Sequence, residues 1–275
     1  MHLVFSDESE AQVKKLEENL PKDYDKSVID VVVLNKSAEF VIESALKKKL
    51  PPSFFFVDPY GYTVPLRLLD EIMKRPEMEV MLNFMYFGIV RNIENKQETE
   101  NMKRIFGDDI FEADLKSKAH FDDEKIIRYI AGKIGNPYYI PYRVNFGIDE
   151  KVRGERLKYL LLFFTRSFKG FNIMLDVMWK HSNKDNPLTV SKEQPLLFPL
   201  KREEDLKRHL EEKYCGKGMT VKFDELLQLE WMQYFKEEHF RNVIKAMKKE
   251  QKAVVTPITN KTGRGLQGKD VIKFL

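Results

Sequence analysis

The stretch "SFFFVDPYGYTVP", residues 53 to 65, runs an apolar strand straight into Asp58, Pro59, Tyr60, Gly61 and Tyr62. Turn chemistry accounts for the proline and the glycine, which set backbone angles. It does not ask for an acid and two aromatic rings at the same strand end. A carboxylate there can accept a hydrogen bond from an exocyclic amine while a ring stacks on the base that carries it. Methyl transfer to such an amine needs that help, because a conjugated amine is a poor nucleophile until its lone pair is redirected. The other reading of Asp58 to Tyr62 is a polar turn with two tyrosines packed at its rim.

Three more apolar runs end in polar groups: Asp7-Glu8, Asn35 and Asn83. In an open α/β sheet, ligands bind outside the carboxyl ends of the strands. Asp7, with Glu8 as the adjacent candidate, can accept hydrogen bonds from a ribose diol, and Asn35 can bond an adenine edge. An Asp or Asn just before a helix serves equally as a cap. His120, His181, His209 and His239 lack metal-ligand spacing, so no metal site is expected. The single cysteine, Cys215, allows neither a disulfide framework nor a thiolate cluster, which fits a reducing, cytoplasmic setting. No Ser/His/Asp arrangement or phosphate loop stands out.

The elements that must position these groups alternate. Strands are expected at 2–5, 28–35, 53–59 and 78–84, separated by helices at 10–20, 37–50 and 65–75. Near-continuous apolar strands between helices predict a mostly parallel sheet covered on both faces. A helix over 122–135, two long strands at 138–148 and 158–168, paired antiparallel at the sheet edge, and a helix over 171–181 follow. Residues 183–199 carry three prolines and read as a linker. Beyond them come three helices and a two-stranded hairpin, the order of a winged helix-turn-helix module. The expected domains are therefore a Rossmann-like domain over 1–182 and a winged helix over 200–275.

The net charge of +4 is mild for 275 residues, but it is uneven: from Lys245 onward eight basic residues face only Glu250 and Asp270. A third helix over 236–249 would present Lys236, His239, Arg241, Lys245, Lys248 and Lys249 to solvent. Phe235, Phe240, Val243, Ile244 and Met247 would face its core. The hairpin loop adds Lys261, Arg264 and Lys269, so contact with nucleic-acid phosphates is expected. A winged helix can equally be a protein–protein module. No apolar run is long enough to span a membrane, and "MHLVFSDESE" does not read as a signal peptide.

Residues 54 to 92, "FFFVDPYGYTVPLRLLDEIMKRPEMEVMLNFMYFGIVRN", resemble the three-Cys-motif partner proteins, a bacterial and archaeal family with a class I methyltransferase-like Rossmann domain and a C-terminal winged helix. The family's D-P-[FY]-G element is matched by Asp58-Pro59-Tyr60-Gly61, and an INR-like position loosely by Val90-Arg91-Asn92. A similar D-P-F-G element occurs in tRNA guanine-N2 dimethyltransferases. "VFSDESEAQVKKLEENL" is similar to the family's second strand and helix. The resemblance implies S-adenosylmethionine as cofactor, Asp7 on its ribose, RNA or DNA as substrate, and association with a three-Cys-motif, radical-type partner protein.

The family's opening strand and Gly-rich turn have no counterpart here; Gly216-Lys217-Gly218 and Gly263-Arg264-Gly265 both lie in the C-terminal module. In the usual 3-2-1-4-5-7-6 sheet order the first strand fills the middle. Its absence predicts either an upstream segment that supplies it or direct pairing of strands two and four. The expectation is a methyltransferase-like protein acting on an exocyclic amine of a nucleic-acid base, impaired in cofactor binding as it stands. The alternative is a non-catalytic nucleic-acid-binding or scaffold protein with a relic Rossmann domain.

Overall fold

The computed structural model describes residues 1–59, 64–88, 103, 105–106, 123–135, 137–145, 157–182, 189–190, 203–258 and 265–275. They divide into two units, Met1–Pro141 with Leu157–Arg166, and Tyr142–Arg156 with Ser167–Leu275. The described elements form an α/β chain with mixed sheets, compatible with a Rossmann-like arrangement.

In the first unit, β1 (His2–Asp7) and β2 (Asp30–Asn35) pair in parallel, from His2 opposite Asp30 to Asp7 opposite Asn35. They are joined by α1 (Glu10–Asn19), which buries no residue. Among residues 1–50 only Ile42, on α2 (Ala38–Leu46), is fully buried. Val4, Phe5, Val32 and Phe40 remain exposed. Such a thin layer contributes little hydrophobic free energy on its own.

The rest of the unit is densely apolar. β3 (Ser53–Val57) runs parallel to β4 (Met78–Phe84), which pairs antiparallel with β6 (Leu157–Thr165). β5 (Tyr138–Asn145) neighbours β6 and has β7 (Thr189–Val190) on its other edge, so the order is β3-β4-β6-β5-β7. α3 (Leu66–Met73) buries Leu66, Leu68, Leu69, Ile72 and Met73, and α4 (Asp123–Lys133) buries Ile126, Ile127, Ile130 and Ala131. α3 packs on β4 and α4. Each of these side chains except Ala131 contributes about 1.5–3 kcal/mol on burial, which makes this layer the stable part of the unit.

Among the described residues β1 pairs only with β2, and β3 only with β4. Direct pairing of β1 with β3, one of the two outcomes expected from the missing glycine-turn strand, does not occur. Instead α2 bridges, contacting both β1 and α3. Arg67 on α3 reaches Glu39 and Glu43 of α2 at 3.4 and 3.5 Å. Arg75 donates to the carbonyls of Leu46 and, at 2.7 Å, Lys48. Two parallel strands are thus left with an unpaired backbone edge each, and β3 shows Phe54 and Phe56 to solvent. Exposed apolar edges of that kind invite another strand.

The second unit contains α5 (Phe168–Lys180), α6 (Glu203–Tyr214), α7 (Phe223–Leu229) and α8 (Glu237–Lys249). Its antiparallel sheet has the order β8 (Thr220–Lys222), β10 (Val271–Phe274), β9 (Ala253–Thr256). Leu206, Leu210, Phe223, Phe240, Ile244 and Phe274 are central to its core. Phe235, Phe240, Val243, Ile244 and Met247 are buried, the face expected of the helix that α8 forms. The unit begins earlier than residue 200, because Phe168 and Trp179 pack against this core and the Trp179 indole donates to the Tyr234 carbonyl at 2.9 Å. Within the stretch read as a linker, Thr189–Val190 forms β7, parallel to Arg143–Val144. The buried Asp270 carboxylate accepts from the backbone N–H groups of Ile258 (3.3 Å) and Gln267 (2.7 Å), pinning both ends of the β9–β10 loop. No helix among the described residues is long and apolar enough to cross a membrane.

Candidate functional site

The parallel register that sets Val57 beside Leu82 brings the next residues, Asp58 and Asn83, together at the carboxyl ends of β3 and β4. Asn83 lies between buried Leu82 and Phe84, in a strand whose other polar residue is Glu79. Its amide nitrogen donates to Asp58 Oδ1 at 2.6 Å. Its own oxygen, Oδ1, is buried and has no hydrogen-bond partner among the described residues. Asp58 itself is exposed, so its second oxygen is accessible. Pro59 follows it directly, while Tyr60, Gly61 and Tyr62 lie outside the described residues.

Asp7, Glu8 and Asn35 meet at the carboxyl end of the β1–β2 pair. Asp7 Oδ1 accepts from the Ser9 N–H at 2.7 Å, an Asx-type turn that opens α1. The Asn35 amide donates to the carbonyls of Asp7 (3.1 Å) and Glu8 (3.0 Å), tying the two strand ends together. Both residues therefore do the local work of caps and ties. What they keep for a ligand is acceptor capacity: Asp7 Oδ2 and the Asn35 side-chain oxygen. Glu8 is exposed beside them. Asn83 stood in the sequence only as a strand end; the β3–β4 register is the signal that gives it a partner. Among the described residues no group of three or more His, Cys, Asp or Glu side chains could hold a metal ion.

In the second unit Lys245, Lys248 and Lys249 are exposed at the C-terminal half of α8, and Lys269 is exposed beside the β9–β10 loop. None of the four makes an ion pair among the described residues. Lys261 and Arg264 lie outside the described residues. The other cations expected on α8 are engaged. Lys236 pairs with Asp176 at 3.4 Å, and Arg241 pairs with Glu237 and lies over the Phe223 ring. A groove of about 420 Å³ lies beside them, lined by Leu175 and by charges of both signs, apart from the free lysines.

His239 is no surface cation. Its ring centroid lies 4.6 Å from that of Trp179 and 5.7 Å from that of Phe235, and its Nδ1 accepts from the Lys236 N–H at 3.2 Å, closing the N-terminus of α8. Burial lowers its pKa below the ordinary 6.5. The folded state thus binds its proton less readily than the unfolded chain. Its contribution is complete above the ordinary value and is lost as pH falls from there through the depressed folded pKa. We expect the second unit to lose about 1 kcal/mol on acidification through this range, read by denaturant titration, because the cap is lost with the neutral ring. His239→Gln, which keeps an acceptor, should flatten that dependence; an unchanged profile would remove His239 as its source.

Compared with protein-family models, with curated proteins and with solved structures, the chain matches none.

Proposed function

We propose that the chain is a methyltransferase-like protein that acts on exocyclic amines of nucleic-acid bases, with S-adenosylmethionine as the methyl donor. The observation that carries this reading is the meeting of Asp58 and Asn83 at the carboxyl ends of adjacent parallel strands. The strand orders support it: β2-β1, then β3-β4-β6-β5 with β6 antiparallel to β4, follow the class I methyltransferase order with one place open between β1 and β3. On this reading the first unit is a Rossmann-like domain of the three-Cys-motif partner type, in a cytoplasmic protein. In the second unit α6 to α8 with β8 to β10 form a winged helix.

The residues present fit the cofactor in part. Asp7 Oδ2 suits a ribose diol and the Asn35 oxygen suits the adenine amino group. Among the described residues no glycine cradle stands near either; a further strand with a Gly-rich turn, seated between β1 and β3, would complete the donor side. When bound, S-adenosylmethionine would supply an electrophilic sulfonium methyl to the amine, and Asp58 or water would take the amine proton that is released. Asp58 accepts that N–H and thereby aims the nitrogen lone pair, while Asn83 holds the carboxylate in place. Alignment is the main contribution such a site makes.

A second reading, a nucleic-acid-binding scaffold, is favoured by the exposed Val4, Phe54 and Phe56, which would then dock a partner, a three-Cys-motif radical-type protein on the family's pattern. Calorimetric titration with S-adenosylmethionine separates the two. Binding by the chain extended at its N-terminus with a strand and Gly-rich turn, and weak or no binding without it, supports the enzyme. No binding by either leaves the scaffold. For the winged helix, neutralising Lys245, Lys248 and Lys249 together should reduce the slope of log affinity for single-stranded RNA against log salt by about 2. An unchanged slope would take phosphate contact away from α8.

A further inference from the structure

Taking from the reading above only that the second unit meets nucleic-acid phosphates, we propose that it grips the backbone along the C-terminal half of α8 and reads no base edge. It then holds strands of any sequence. A helix that reads bases turns its N-terminal residues into the major groove. In α8 that end is closed. Trp179 of α5 lies against the His239 ring, with 4.6 Å between centroids, and Asp176 of α5 pairs with Lys236 at 3.4 Å. Arg241 lies over the Phe223 ring, 5.0 Å from its centroid, and pairs with Glu237. Asn242 donates to Glu203 of α6 at 3.0 Å. The polar side chains that could reach a base edge from this end are thus held within the unit.

The charge at this end also opposes a groove. Glu237 and Glu238 occupy the first turn of α8, with Asp176 and Glu203 against the same part of the helix. Glu238 is exposed, so groove phosphates would meet its carboxylate, and like charges set together repel. The other end is the reverse. Lys245, Lys248 and Lys249 are exposed and make no ion pair among the described residues. Glu250, the acid beside them, is neutralised by Lys207 at 2.5 Å and Lys252 at 3.3 Å.

The two ends act separately. Helix rise sets Lys236 and Lys248 about 18 Å apart, beyond the screening length of about 8 Å at physiological salt. The carboxylates of one end therefore do not cancel the lysines of the other. Ammonium groups three and four residues apart share one side of a helix. There they suit successive phosphates, which look alike in every sequence and carry no base information. Such contacts hold a strand without choosing it.

The test uses the full chain and short DNA duplexes of equal length and different mixed sequence, because the DNA major groove is where a helix can read bases. Affinities of the wild-type chain should agree within about five-fold across the sequences, since reading even one base pair discriminates by about that much. Combining Lys245→Gln, Lys248→Gln and Lys249→Gln should weaken every duplex alike and reduce the slope of log affinity against log salt by about 2 to 3. Arg241→Gln should bind as the wild type does, whereas an arginine that reads a base loses about five-fold or more when replaced.

A wider spread among sequences, or a loss of that size with Arg241→Gln, overturns this inference. If the lysine variant still loses its slope, phosphate contact by the second unit survives that result. An unchanged slope in the lysine variant, or no binding of any duplex, overturns both. None of these measurements uses S-adenosylmethionine, so the enzyme reading stands or falls apart from them.

Discussion

Replacing Glu230 with alanine should destabilise the second unit by about 3 kcal/mol, more than any surface substitution in the chain. Glu230 is only 2% exposed. It lies just past α7, where the helix dipole disfavours an anion. Three donors make it tolerable: His209 Nε2 at 2.6 Å from Oε2, Lys213 Nζ at 2.8 Å from Oε1, and the Tyr214 hydroxyl on Oε1. Burial alone would push the Glu230 carboxyl up, but hydrogen bonds from Lys213, Tyr214 and His209 outweigh it and hold the carboxyl below its usual range. Burial, with the neighbouring Glu230, pushes the Tyr214 phenol up, so it stays a donor at all physiological pH.

The alanine variant leaves Tyr214 buried without its acceptor and opens a small cavity. Lys213 and His209 fare better, because their side chains are 48% and 32% exposed and recover water. That is why the loss falls at the low end for a broken buried pair. Glu230→Gln keeps the shape and one acceptor, and should cost about half as much. Because the folded pKa is depressed, the wild-type contribution is complete above the ordinary carboxylate value of 4.5 and fades as pH falls through the folded value. Trp179 and Trp231 are the chain's only tryptophans and both belong to this unit, so fluorescence in a denaturant titration reports on it alone. A loss below about 0.5 kcal/mol would mean that the network is no stronger than a surface ion pair.

What could be read in the sequence was whatever a local pattern encodes. The apolar runs ended where the strands end, so Asp58, Asn35 and Asn83 fell at carboxyl ends before any fold was known. The core face of α8 followed from its period. What escaped depends on tertiary neighbours. His239 lies on α8 at a position that reads as exposed, yet Trp179 comes in from α5 to cover it. The Phe168 to Trp179 segment has an ordinary amphipathic pattern, which cannot say which of two cores it joins. β7 is two residues long, too short to show a period. The link between Asp58 and Asn83 depends on register across two strands that sit twenty-five positions apart in sequence. The caps made by Asp7 and tied by Asn35 were the alternative already present in their residue types. The sequence left two outcomes open for the edges of β1 and β3, and among the described residues the structure shows no pairing of β1 with β3.

Asp58→Ala should lower methyl transfer to oligoadenylate by about a hundred- to ten-thousand-fold, in a chain whose donor side is completed by the added strand and Gly-rich turn. Asp58 sits outside the last buried residue of β3, with its side chain in solvent, so its removal should cost the fold under about 1 kcal/mol. Affinity for S-adenosylmethionine should hold, because the residues assigned to it, Asp7 and Asn35, lie at the end of a different strand pair. The loss should therefore appear in the single-turnover rate at saturating cofactor. Asp58→Asn makes the assignment sharper. It keeps an oxygen to face the amine but removes the charge that draws the N–H, and its own amide competes with Asn83 for acceptors. If the carboxylate merely shapes the turn, Asn should rescue most of the activity, since Asx turns accept either side chain. If it orients and deprotonates the amine, Asn should be nearly as inactive as Ala. Transfer at the wild-type rate by either variant would remove Asp58 from the chemistry and leave the strand end as a turn.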